Sequence, residues 1–483
     1  PSRFFTETLH QAPWPPPEPF KGPRVFMQAD GKSTTTAVVL AAGLGTRMKS
    51  DLPKVLHKVA GRTMIGHVLA ALDAAAVDRT VVVVGDGMDG LAAAVAPHPT
   101  AVQTERLGTA LAVLAARDFI KAHPADDLLV VFGDTPLITP ETLAAMLAAR
   151  RSPARPGVVV LGFEPANPAP YGRLILDGDG ALASIVEAKD ATPEQLAVTL
   201  CNSGVMVIDG ARALDWLDRI GNDNAKGEYY LTDIVAIARA DGATAAVVIG
   251  DADEVLGINS RIELAEAEAI TQRRLRARAM EGGATLIDPD TVYLSWDTQL
   301  GRDVVVGPNV VFGPGVRIAD NVEIRAFCHI EGATVGTGTV IGPFARLRPG
   351  ADLAEGVHIG NFVEIKAATL GAGSKANHLS YVGDSIVGAG VNIGAGTITC
   401  NYDGHVKSRT VIGDGAFIGS NTALVAPVTV GAGAIVGAGS AISKNVAAGA
   451  LAVTRAEQKE VQGWADRFNA KRRKDKQDRK KEG

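Results

Sequence analysis

A glycine-rich segment near the start of the chain combines backbone freedom with positive charge. Residues 40–48 read LAAGLGTRM, and a Pro-Lys pair follows at residues 53 and 54. Glycine lets the backbone approach a polyphosphate closely, and amides at the start of a following helix point at negative charge. Arg47 and Lys54 supply cations for the division of a triphosphate. The spacing is neither the dinucleotide fingerprint nor a Walker loop, so we predict another kind of nucleotide-phosphate site.

An aspartate that follows an apolar strand is a candidate metal ligand. Asp134 lies just after residues 128–132, and α/β sheets place ligand-binding residues at the carboxyl ends of their strands. A helix-capping aspartate in a Gly-Asp-Thr-Pro turn is the alternative interpretation. Together with the other motifs, the position favours a carboxylate that holds a cation beside phosphates.

A second set of chemical candidates lies where a regular repeat is interrupted, around residues 375–385 and 399–412. Inserted loops on repeat scaffolds tend to carry function, so polar residues there predict an anionic ligand. A lone histidine such as His378 is more often a surface residue or a hydrogen-bonded core residue than a catalytic one. The candidates inside or near the interruptions are Arg346, Arg348, Glu364, Lys366, His378, Tyr381, Asn392, Asn401, Tyr402, Asp403 and Lys407.

The repeat that surrounds these residues has a period of six. This period fits neither a helix nor a long alternating strand, and it indicates a parallel β-helix with one aliphatic rung per short strand. We expect it from about residue 302 to 446. The recurring residues are Val306, Phe312, Ile318, Ile324, Ile330, Val335, Ile341, Leu347, Leu353, Ile359, Ile365, Ile412, Ile418, Leu424, Val430, Val436 and Ile442.

The first half of the chain alternates apolar strands with helical stretches, which predicts an α/β, Rossmann-like domain with a mainly parallel sheet. A helix over residues 260–280, ended by Gly282 and Gly283, connects it to the repeats. The expected strands are 37–41, 80–85, 128–132, 157–161 and 245–249, and the expected helices are 108–121 and 140–150.

Composition narrows the class of protein. The 483 residues carry a net charge of -5, which gives no reason to expect nucleic acid. Three dispersed cysteines suit a reducing compartment, and no apolar run is long enough for a membrane span or signal peptide. The predicted division is a disordered proline-rich extension (1–35), an α/β domain (36–259), a connecting helix (260–283), a β-helix (284–446) and a segment with a charged disordered tail (447–483).

Residues 40–54 closely resemble the opening loop of sugar-nucleotide pyrophosphorylases. From about residue 36 to 464, the chain is similar to the family of bifunctional N-acetylglucosamine-1-phosphate uridyltransferases and glucosamine-1-phosphate N-acetyltransferases, which serve peptidoglycan and lipopolysaccharide precursor synthesis. The segments that carry the resemblance are QTE and LGT (103–105, 107–109), FGD (132–134), YGR (171–173), EAKD (187–190), NSG (202–204), GEYYLTD (227–233), GIN (257–259) and SKANHLSY (374–381).

The resemblance implies that the first domain transfers a uridylyl group from UTP to N-acetylglucosamine-1-phosphate. It implies Mg²⁺ bound by Asp134 and Asn259, with Arg47 and Lys54 as catalytic cations. Phe132 stands where members of the family often carry tyrosine. The implied substrate-binding residues are Leu40, Ala41, Ala42, Gly43, Lys54, Gln103, Gly108, Thr109, Phe132, Gly133, Asp134, Gly172, Glu187, Asn202 and Asn259.

For the repeats, the resemblance implies acetyl transfer from acetyl-CoA, with His378 as general base. Glu364 is expected to orient His378 or the substrate amine, and Asn377 replaces a glycine found in some members. The sugar phosphate would be held by Arg348, Lys366, Tyr381 and Asn392. Acetyl-CoA would be held by Ala395, Asn401, Tyr402, Ser420, Ala438 and Arg455, with the Ala395 amide polarising the thioester.

The resemblance also implies a left-handed β-helix, a cytoplasmic homotrimer with shared acetyltransferase sites, and no membrane insertion. Two other classes compete for the repeats. A γ-type carbonic anhydrase needs three zinc-binding histidines, and His329, His358, His378 and His405 show no paired-ligand spacing. A hexose-1-phosphate nucleotidyltransferase with a structural or regulatory β-helix remains the alternative, and it predicts no histidine loop.

Overall fold

The computed structural model describes residues 33–479, and the chain divides between Arg274 and Leu275 into two compact units. Residues 1–32 of the predicted disordered extension lie outside the described residues. The prediction is wrong at its end, because Thr35 is already a buried residue of the first strand. The Thr34 amide donates to Asp126 and the Thr35 amide to Asp78, both at 2.8 Å, so side chains hold this backbone in place.

The first unit is built on one twisted sheet in the order β11-β7-β10-β6-β1-β4-β5. All neighbours on this path are parallel except β10, which runs antiparallel to β6 and β7. This confirms the predicted mainly parallel sheet. The strands are β1 Thr35–Leu40, β2 Lys58–Val59, β3 Arg62–Thr63, β4 Arg79–Gly85, β5 Thr100–Gln103, β6 Asp127–Phe132, β7 Val158–Phe163, β8 Arg173–Leu176, β9 Leu182–Val186, β10 Cys201–Asp209 and β11 Ala245–Ile249.

Successive residues of β1 point into two different cores. Val38 belongs to one apolar cluster, and Val39 belongs to the cluster on the opposite face of the sheet. A strand covered on both faces is continuously apolar, which explains why the sequence showed runs without alternation. The helices that cover the faces and continue the chain are α1 Met64–Ala74, α2 Asp89–Ala94, α3 Thr109–Leu114, α4 Arg117–Ala122, α5 Pro140–Arg150, α6 Pro193–Leu196, α7 Ala213–Asp218, α8 Ile234–Ala240 and α9 Arg261–Glu281, with 3₁₀ turns at Thr46–Met48, Lys54–Leu56, Leu231–Asp233 and Pro289–Thr291.

Two predicted helices differ in outcome. α5 has the predicted bounds, because Thr139 accepts from the Thr142 amide at 3.2 Å and Pro140 occupies the first helical position. The helix predicted over residues 108–121 is wrong as one element. It breaks into α3 and α4 because the Ala116 amide bonds to the Val113 carbonyl, three residues back, at 3.0 Å.

The second unit consists of short strands in three parallel sheets, the arrangement of a left-handed parallel β-helix. Each strand buries an aliphatic residue in one continuous core. The first sheet holds β12 Thr285–Leu286, β14 Val305–Val306, β17 Glu323–Ile324, β20 Val340–Ile341, β23 His358–Asn361, β26 Lys375–His378, β29 Asn392–Ile393, β32 Phe417–Ile418, β35 Ile435–Val436 and β37 Leu451–Ala452.

The chain visits the three sheets in rotation. The second sheet holds β15 Val311–Phe312, β18 His329–Ile330, β21 Arg346–Leu347, β24 Glu364–Lys366, β27 Tyr381–Gly383, β30 Ile398–Cys400, β33 Ala423–Val425 and β36 Ala441–Ile442. The third holds β13 Gln299–Leu300, β16 Arg317–Ile318, β19 Ala333–Val335, β22 Ala351–Leu353, β25 Ala368–Leu370, β28 Ser385–Val387, β31 Thr410–Ile412 and β34 Val428–Val430.

The predicted interruptions of the repeat have different structures. Lys375 pairs with Asn392, seventeen positions later, the same spacing as Glu323 to Val340, so residues 375–385 contain no insertion. That part of the prediction is wrong, because β26 and β27 continue their ladders without a break. Asn392 pairs with Phe417, twenty-five positions later, which places a true inserted loop between β30 and β31.

The charged tail predicted to be disordered contains a helix, α10, at Trp464–Arg479. The segment lacks glycine and proline and is rich in Arg and Lys, which have high helix propensity. Between residues 33 and 479, no helix is long and apolar enough to cross a bilayer.

Candidate active sites

A cavity of about 410 Å³ opens at the carboxyl ends of β1 and β6 in the first unit. This is the edge at which α/β sheets bind ligands. The predicted residues that line it are Leu40, Ala41, Ala42, Gly43, Lys54, Gln103, Gly108, Thr109, Phe132, Asp134 and Glu187. It is also lined by Arg106, Lys226, Glu228 and Tyr230, to which sequence reasoning assigned no role. The sequence did contain a signal for these residues. Arg106 lies within residues 103–109, and Glu228 and Tyr230 lie within residues 227–233, two regions that carry the family resemblance. Lys226 directly precedes the second region.

Three predicted residues converge at one side of the cavity. The Lys54 ammonium donates to the Asp134 carboxylate and, at 2.9 Å, to the Asn259 side-chain oxygen. The side-chain amide nitrogen of Asn259 donates to the Gly257 carbonyl at 3.1 Å, and this bond turns the side-chain oxygen toward Lys54. The Lys54 side chain is only 10% exposed. Residues that are 205 positions apart are thus joined around one buried cation.

The donor set fits a magnesium ion that is shared with a substrate. Asp134 and Asn259 present hard oxygen ligands to one point, and Mg²⁺ usually takes one or two carboxylates and completes its shell with water and phosphate. Within residues 33–479, no group of three or more His, Cys, Asp or Glu could hold a metal by itself. Substrate phosphate oxygens and water would supply the remaining ligands of a cation held here.

The wall of the cavity that carries Gly108 and Thr109 is held by contacts between two loops. Gly108 has φ 130°, and a Cβ there would overlap the Tyr229 backbone. The Tyr229 amide donates to the Leu107 carbonyl at 2.8 Å, and the Leu231 amide donates to the Thr109 hydroxyl at 3.0 Å. Arg106 Nε donates to the Ala42 carbonyl at 2.9 Å. These hydrogen bonds hold the two loops and the glycine-rich segment together along this wall of the cavity.

The three residues predicted to bind the sugar lie together. The Asn202 amide donates to the Gly172 carbonyl at 2.9 Å, and a Cβ at Gly172 would stand 3.4 Å from Glu187 Oε1. Burial raises the pKa of Glu187, and the nearby Lys226 ammonium opposes that shift. A desolvated carboxylate at this place is a strong acceptor for ligand hydroxyls.

Five predicted residues do not line the cavity: Arg47, Gly133, Gly172, Asn202 and Asn259. Arg47 is exposed on the 3₁₀ turn Thr46–Met48. Gly133 contributes through its backbone, since its amide donates to the Leu40 carbonyl at 2.9 Å and links β6 to the glycine-rich segment.

In the second unit, His378 ends β26 at a corner between the first and second sheets, which we call the His378 corner. Its Nδ1 lies 2.8 Å from the Asn361 side-chain oxygen on the neighbouring strand. Because that oxygen only accepts, Nδ1 carries a hydrogen, and in the neutral imidazole Nε2 is then the atom with the free lone pair. Sequence reasoning missed Asn361. Glu364, which was expected to orient His378 or the substrate amine, pairs with Arg348 at 2.7 Å in this chain.

Predicted acetyl-CoA residues continue the His378 corner through the next coils. Ala395, Ser420 and Ala438 each follow a strand of the first sheet, after β29, β32 and β35. The Asn421 amide donates to the Ala395 carbonyl at 2.7 Å. Arg455 Nη1 donates to the Ala438 carbonyl, also at 2.7 Å. These residues form a column that starts at His378.

Most predicted sugar-phosphate residues lie at the next corner, between the second and third sheets, which we call the Lys366 corner. Lys366 pairs with Asp384 at 3.2 Å. Asn401 donates to Asp384 and, at 3.3 Å, to the Tyr381 hydroxyl. Although burial opposes it, hydrogen bonds from Asn401 and Lys366 hold the pKa of Asp384 below its ordinary value. Arg348 follows β21 at the same corner.

Three predictions are not brought together as expected. Asn401 joins the Lys366 corner, away from the Ala395 column with which it was grouped. Tyr402 is exposed in the inserted loop, where its hydroxyl donates to the Gly404 carbonyl at 2.6 Å. Asn392 begins β29 in the first sheet and pairs with Lys375. The two halves of the predicted acetyltransferase site therefore occupy different corners of one chain.

The fold and these sites define a nucleotidyltransferase domain followed by a hexapeptide-repeat transferase domain. The MobA-like NTP transferase domain family matches residues 37–201, and the bacterial transferase hexapeptide family matches residues 297–332 and 409–444.

Relatives named bifunctional protein GlmU match nearly the whole chain. The relative from Paramagnetospirillum magneticum is 60% identical over 91% of this chain and 97% of its own length. The relative from Rhodospirillum rubrum is 61% identical over 90% and 97%, and that from Xanthobacter autotrophicus is 60% identical over 91% and 98%. The chain belongs to this family. It is a bifunctional transferase of UDP-N-acetylglucosamine synthesis, with acetyl transfer and uridylyl transfer on one polypeptide.

Proposed function

We propose that the cavity of the first unit performs uridylyl transfer with Mg²⁺ held by Asp134 and Asn259. The convergence of Lys54 with both oxygen donors supports this assignment. A phosphate oxygen of N-acetylglucosamine-1-phosphate attacks the α-phosphorus of UTP, the α–β bridging bond breaks, and pyrophosphate leaves. Asp134 and Asn259 would hold the Mg²⁺, which would supply neutralisation of phosphate charge when bound. Lys54 stabilises the charge that develops on the divided triphosphate. Arg47 lies outside the cavity on the exposed 3₁₀ turn, so its proposed role requires its side chain to extend toward the triphosphate.

The two ends of the cavity hold the two substrates. Backbone at residues 40–43, with Gln103, Gly108 and Thr109, binds the uracil and ribose. Gly172, Glu187 and Asn202 bind the amino sugar, and their mutual contacts support one pocket. The reaction needs little covalent chemistry from the protein. Its rate therefore depends on how well the attacking phosphate of the sugar is aligned with the α-phosphorus of UTP.

Removal of divalent metal is expected to abolish uridylyl transfer and leave acetyl transfer unchanged. The first reaction needs a cation between phosphates, whereas a histidine base and backbone amides serve the second. Both rates are measured before and after chelation, and uridylyl transfer is expected to return when Mg²⁺ is added. Uridylyl transfer that persists at the wild-type rate in metal-free buffer would contradict the proposed metal site.

We further propose that the His378 corner performs acetyl transfer. His378 Nε2 takes a proton as the amine of glucosamine-1-phosphate attacks the acetyl carbon. The C–S bond then breaks, and His378 gives the proton to the thiolate, so that coenzyme A leaves as its thiol. In this assignment the Ala395 amide polarises the thioester carbonyl. The hydrogen bond from His378 Nδ1 to Asn361 supports this assignment, because it keeps Nε2 available as the base.

A homotrimer would complete the acetyltransferase site. The base and acetyl-CoA column lie at the His378 corner, while Arg348, Lys366 and Tyr381 lie at the Lys366 corner. A second copy that presents its Lys366 corner to the His378 corner brings both sets to one substrate.

We propose that the enzyme works in the cytoplasm, where both of its cosubstrates are made.

An exposed aromatic ladder supports this assembly. Phe327, Phe344 and Phe362 stack at the His378 corner with ring centroids 4.9 Å and 5.3 Å apart, and each is about half exposed. Leu379, next to His378, continues the column and is 62% exposed. Contiguous apolar side chains on a surface indicate a protein contact, and a second copy is the partner that the split site requires.

A double variant, Phe344→Asn and Phe362→Asn, is expected to dissociate the trimer and to lower acetyl transfer by about 10²-fold. The ladder residues have left-handed backbone, which asparagine accepts, as Asn309 and Asn421 do in other coils. Each coil should therefore stay folded, and uridylyl transfer should be retained. Sedimentation velocity gives the oligomeric state. Ile287→Asn, an exposed apolar site in the first coil, is the control. A double variant that stays trimeric would overturn the role of the ladder.

A further inference from the structure

The first half of α9 is a structural part of the first unit. Ala267 and Ile270 share an apolar cluster with Val59, Leu137 and Ile258. Polar contacts reinforce this packing. The Ala60 amide donates to Glu268 at 2.7 Å. Arg274 Nη1 donates to the Leu137 carbonyl at 2.8 Å. The helix therefore supports both the hairpin that follows Lys54 and the turn that follows Asp134.

The first residue of α9, Arg261, contacts both ends of the segment that carries Lys54. Its Nε donates to the Met48 carbonyl and its Nη1 to His57 Nδ1, both at 3.3 Å. Met48 and His57 are buried. One planar guanidinium thus spans the opening of a loop whose middle delivers the ammonium to Asp134.

The chemistry of His57 agrees with this arrangement. A guanidinium only donates, so His57 Nδ1 must accept and the ring must be neutral. Burial lowers the pKa of His57, and the positive charge of Arg261 lowers it further. Nε2 is buried and has no hydrogen-bond partner among the described residues. The ring thus gains its polar contact from Arg261.

The same turn of α9 also places the second oxygen donor. The backbone amide of Asn259 donates to the Glu263 carboxylate at 2.7 Å, and the backbone amide of Glu263 donates to the Ser260 hydroxyl at 3.3 Å. This exchange resembles a capping box and fixes the backbone on which Asn259 stands. One helical turn therefore orients Asn259 and restrains the Lys54 segment.

We propose that Arg261 is a positioning residue for uridylyl transfer, which acts by tying the Lys54 segment to the helical turn that carries Asn259. The proposal rests on the assignment of Lys54, Asp134 and Asn259 to the phosphate site. Without the guanidinium, residues 49–56 keep their packing but lose the contact that sets their distance from Asn259. A displacement of about 1 Å at a reacting group costs up to about 10²-fold in rate.

The test compares Arg261→Ala and Arg261→Lys with Arg273→Ala. Arg273 is on the same helix and pairs with the exposed Asp253 at 3.4 Å. We expect Arg261→Ala to lower kcat for uridylyl transfer by about tenfold or more, with KM for N-acetylglucosamine-1-phosphate unchanged. Arg261→Lys should recover little, because one ammonium cannot span both acceptors. Amide hydrogen exchange across residues 49–56 should rise in both Arg261 variants. Acetyl transfer and Arg273→Ala should match the wild type.

Two outcomes would overturn the proposal. One is a kcat within twofold of wild type for both Arg261 variants. The other is unchanged exchange at residues 49–56 despite a lower kcat. Asp134→Asn separates this proposal from the site assignment on which it rests. If Asp134→Asn loses uridylyl transfer and Arg261→Ala does not, only the positioning role fails, whereas full activity in Asp134→Asn means that the phosphate site is misplaced.

Discussion

Replacing His378 with alanine is expected to lower acetyl transfer by about 10²- to 10⁴-fold and to leave uridylyl transfer unchanged. The amine of glucosamine-1-phosphate must lose a proton as it attacks the thioester, and Nε2 is the free basic atom at this corner. Alanine removes the base and leaves the coil intact, because His378 is exposed and its backbone stays in the β26 ladder. Thiol release from acetyl-CoA and UTP-dependent pyrophosphate release measure the two reactions separately.

A matched control is available on the adjacent strand. His358 is exposed on β23, pairs with Lys375 in the same sheet, and has no place in either site. His358→Ala should retain both activities. Asn361→Ala should fall between the two histidine variants, because it frees the imidazole to rotate without removing it. If His378→Ala kept acetyl transfer near the wild-type rate, the general base would have to be another group.

Replacing Asp134 with asparagine is expected to lower uridylyl transfer by about 10²- to 10³-fold while acetyl transfer continues. The substitution keeps the shape of the side chain and removes the negative charge that balances Lys54 and binds the proposed Mg²⁺. The Lys54 ammonium keeps Asn259 as a partner, so the local fold should survive. The decisive readout is the Mg²⁺ dependence of the rate, which should shift to higher concentration or disappear.

The control for this variant is Asp218→Asn, which breaks an exposed ion pair with Arg117 outside the cavity. Exposed pairs contribute little, at about 0 to 1 kcal/mol, so neither activity should change. An Asp134→Asn enzyme with wild-type Mg²⁺ dependence would show that the metal lies elsewhere. Parallel loss of acetyl transfer would instead indicate a general folding defect.

Local patterns in the sequence predicted the parts of this fold that depend on local rules. The six-residue period predicted the β-helix, because each rung repeats the same short-range geometry. The run of apolar residues before Asp134 predicted a strand end, and the structure puts that residue at the cavity. Other predictions failed where a long-range contact decided the outcome. Residues 375–385 looked like an inserted loop, yet β26 and β27 pair with their neighbours as in any other coil.

Several residues of the candidate sites could not be found by spacing. Arg106 and Lys226 reach the cavity from loops joined through Tyr229. Asn361 stands beside His378 because their strands are in register, seventeen positions apart in the chain. Arg261 contacts the Lys54 segment because α9 packs back onto its own domain. The contacts of Arg106, Lys226 and Arg261 follow no repeat period. The contact between Asn361 and His378 follows the coil spacing, and it needed the strand register to be identified.

The sequence by itself determined that a phosphate-binding α/β domain precedes a solenoid, and it indicated the residues that can supply charge and a base. Glycine placement, apolar runs and the hexapeptide period are local properties, so they can be read in chain order. Only the tertiary structure decided which residues meet. The segment after β11 returns to the end of β6, where the Ile258 amide donates to the Asp134 carbonyl, and so brings Asn259 to Lys54 across 205 positions. The rotation of the coil placed His378 and Lys366 at different corners. Such distances depend on how whole elements pack against each other, which a local pattern does not specify.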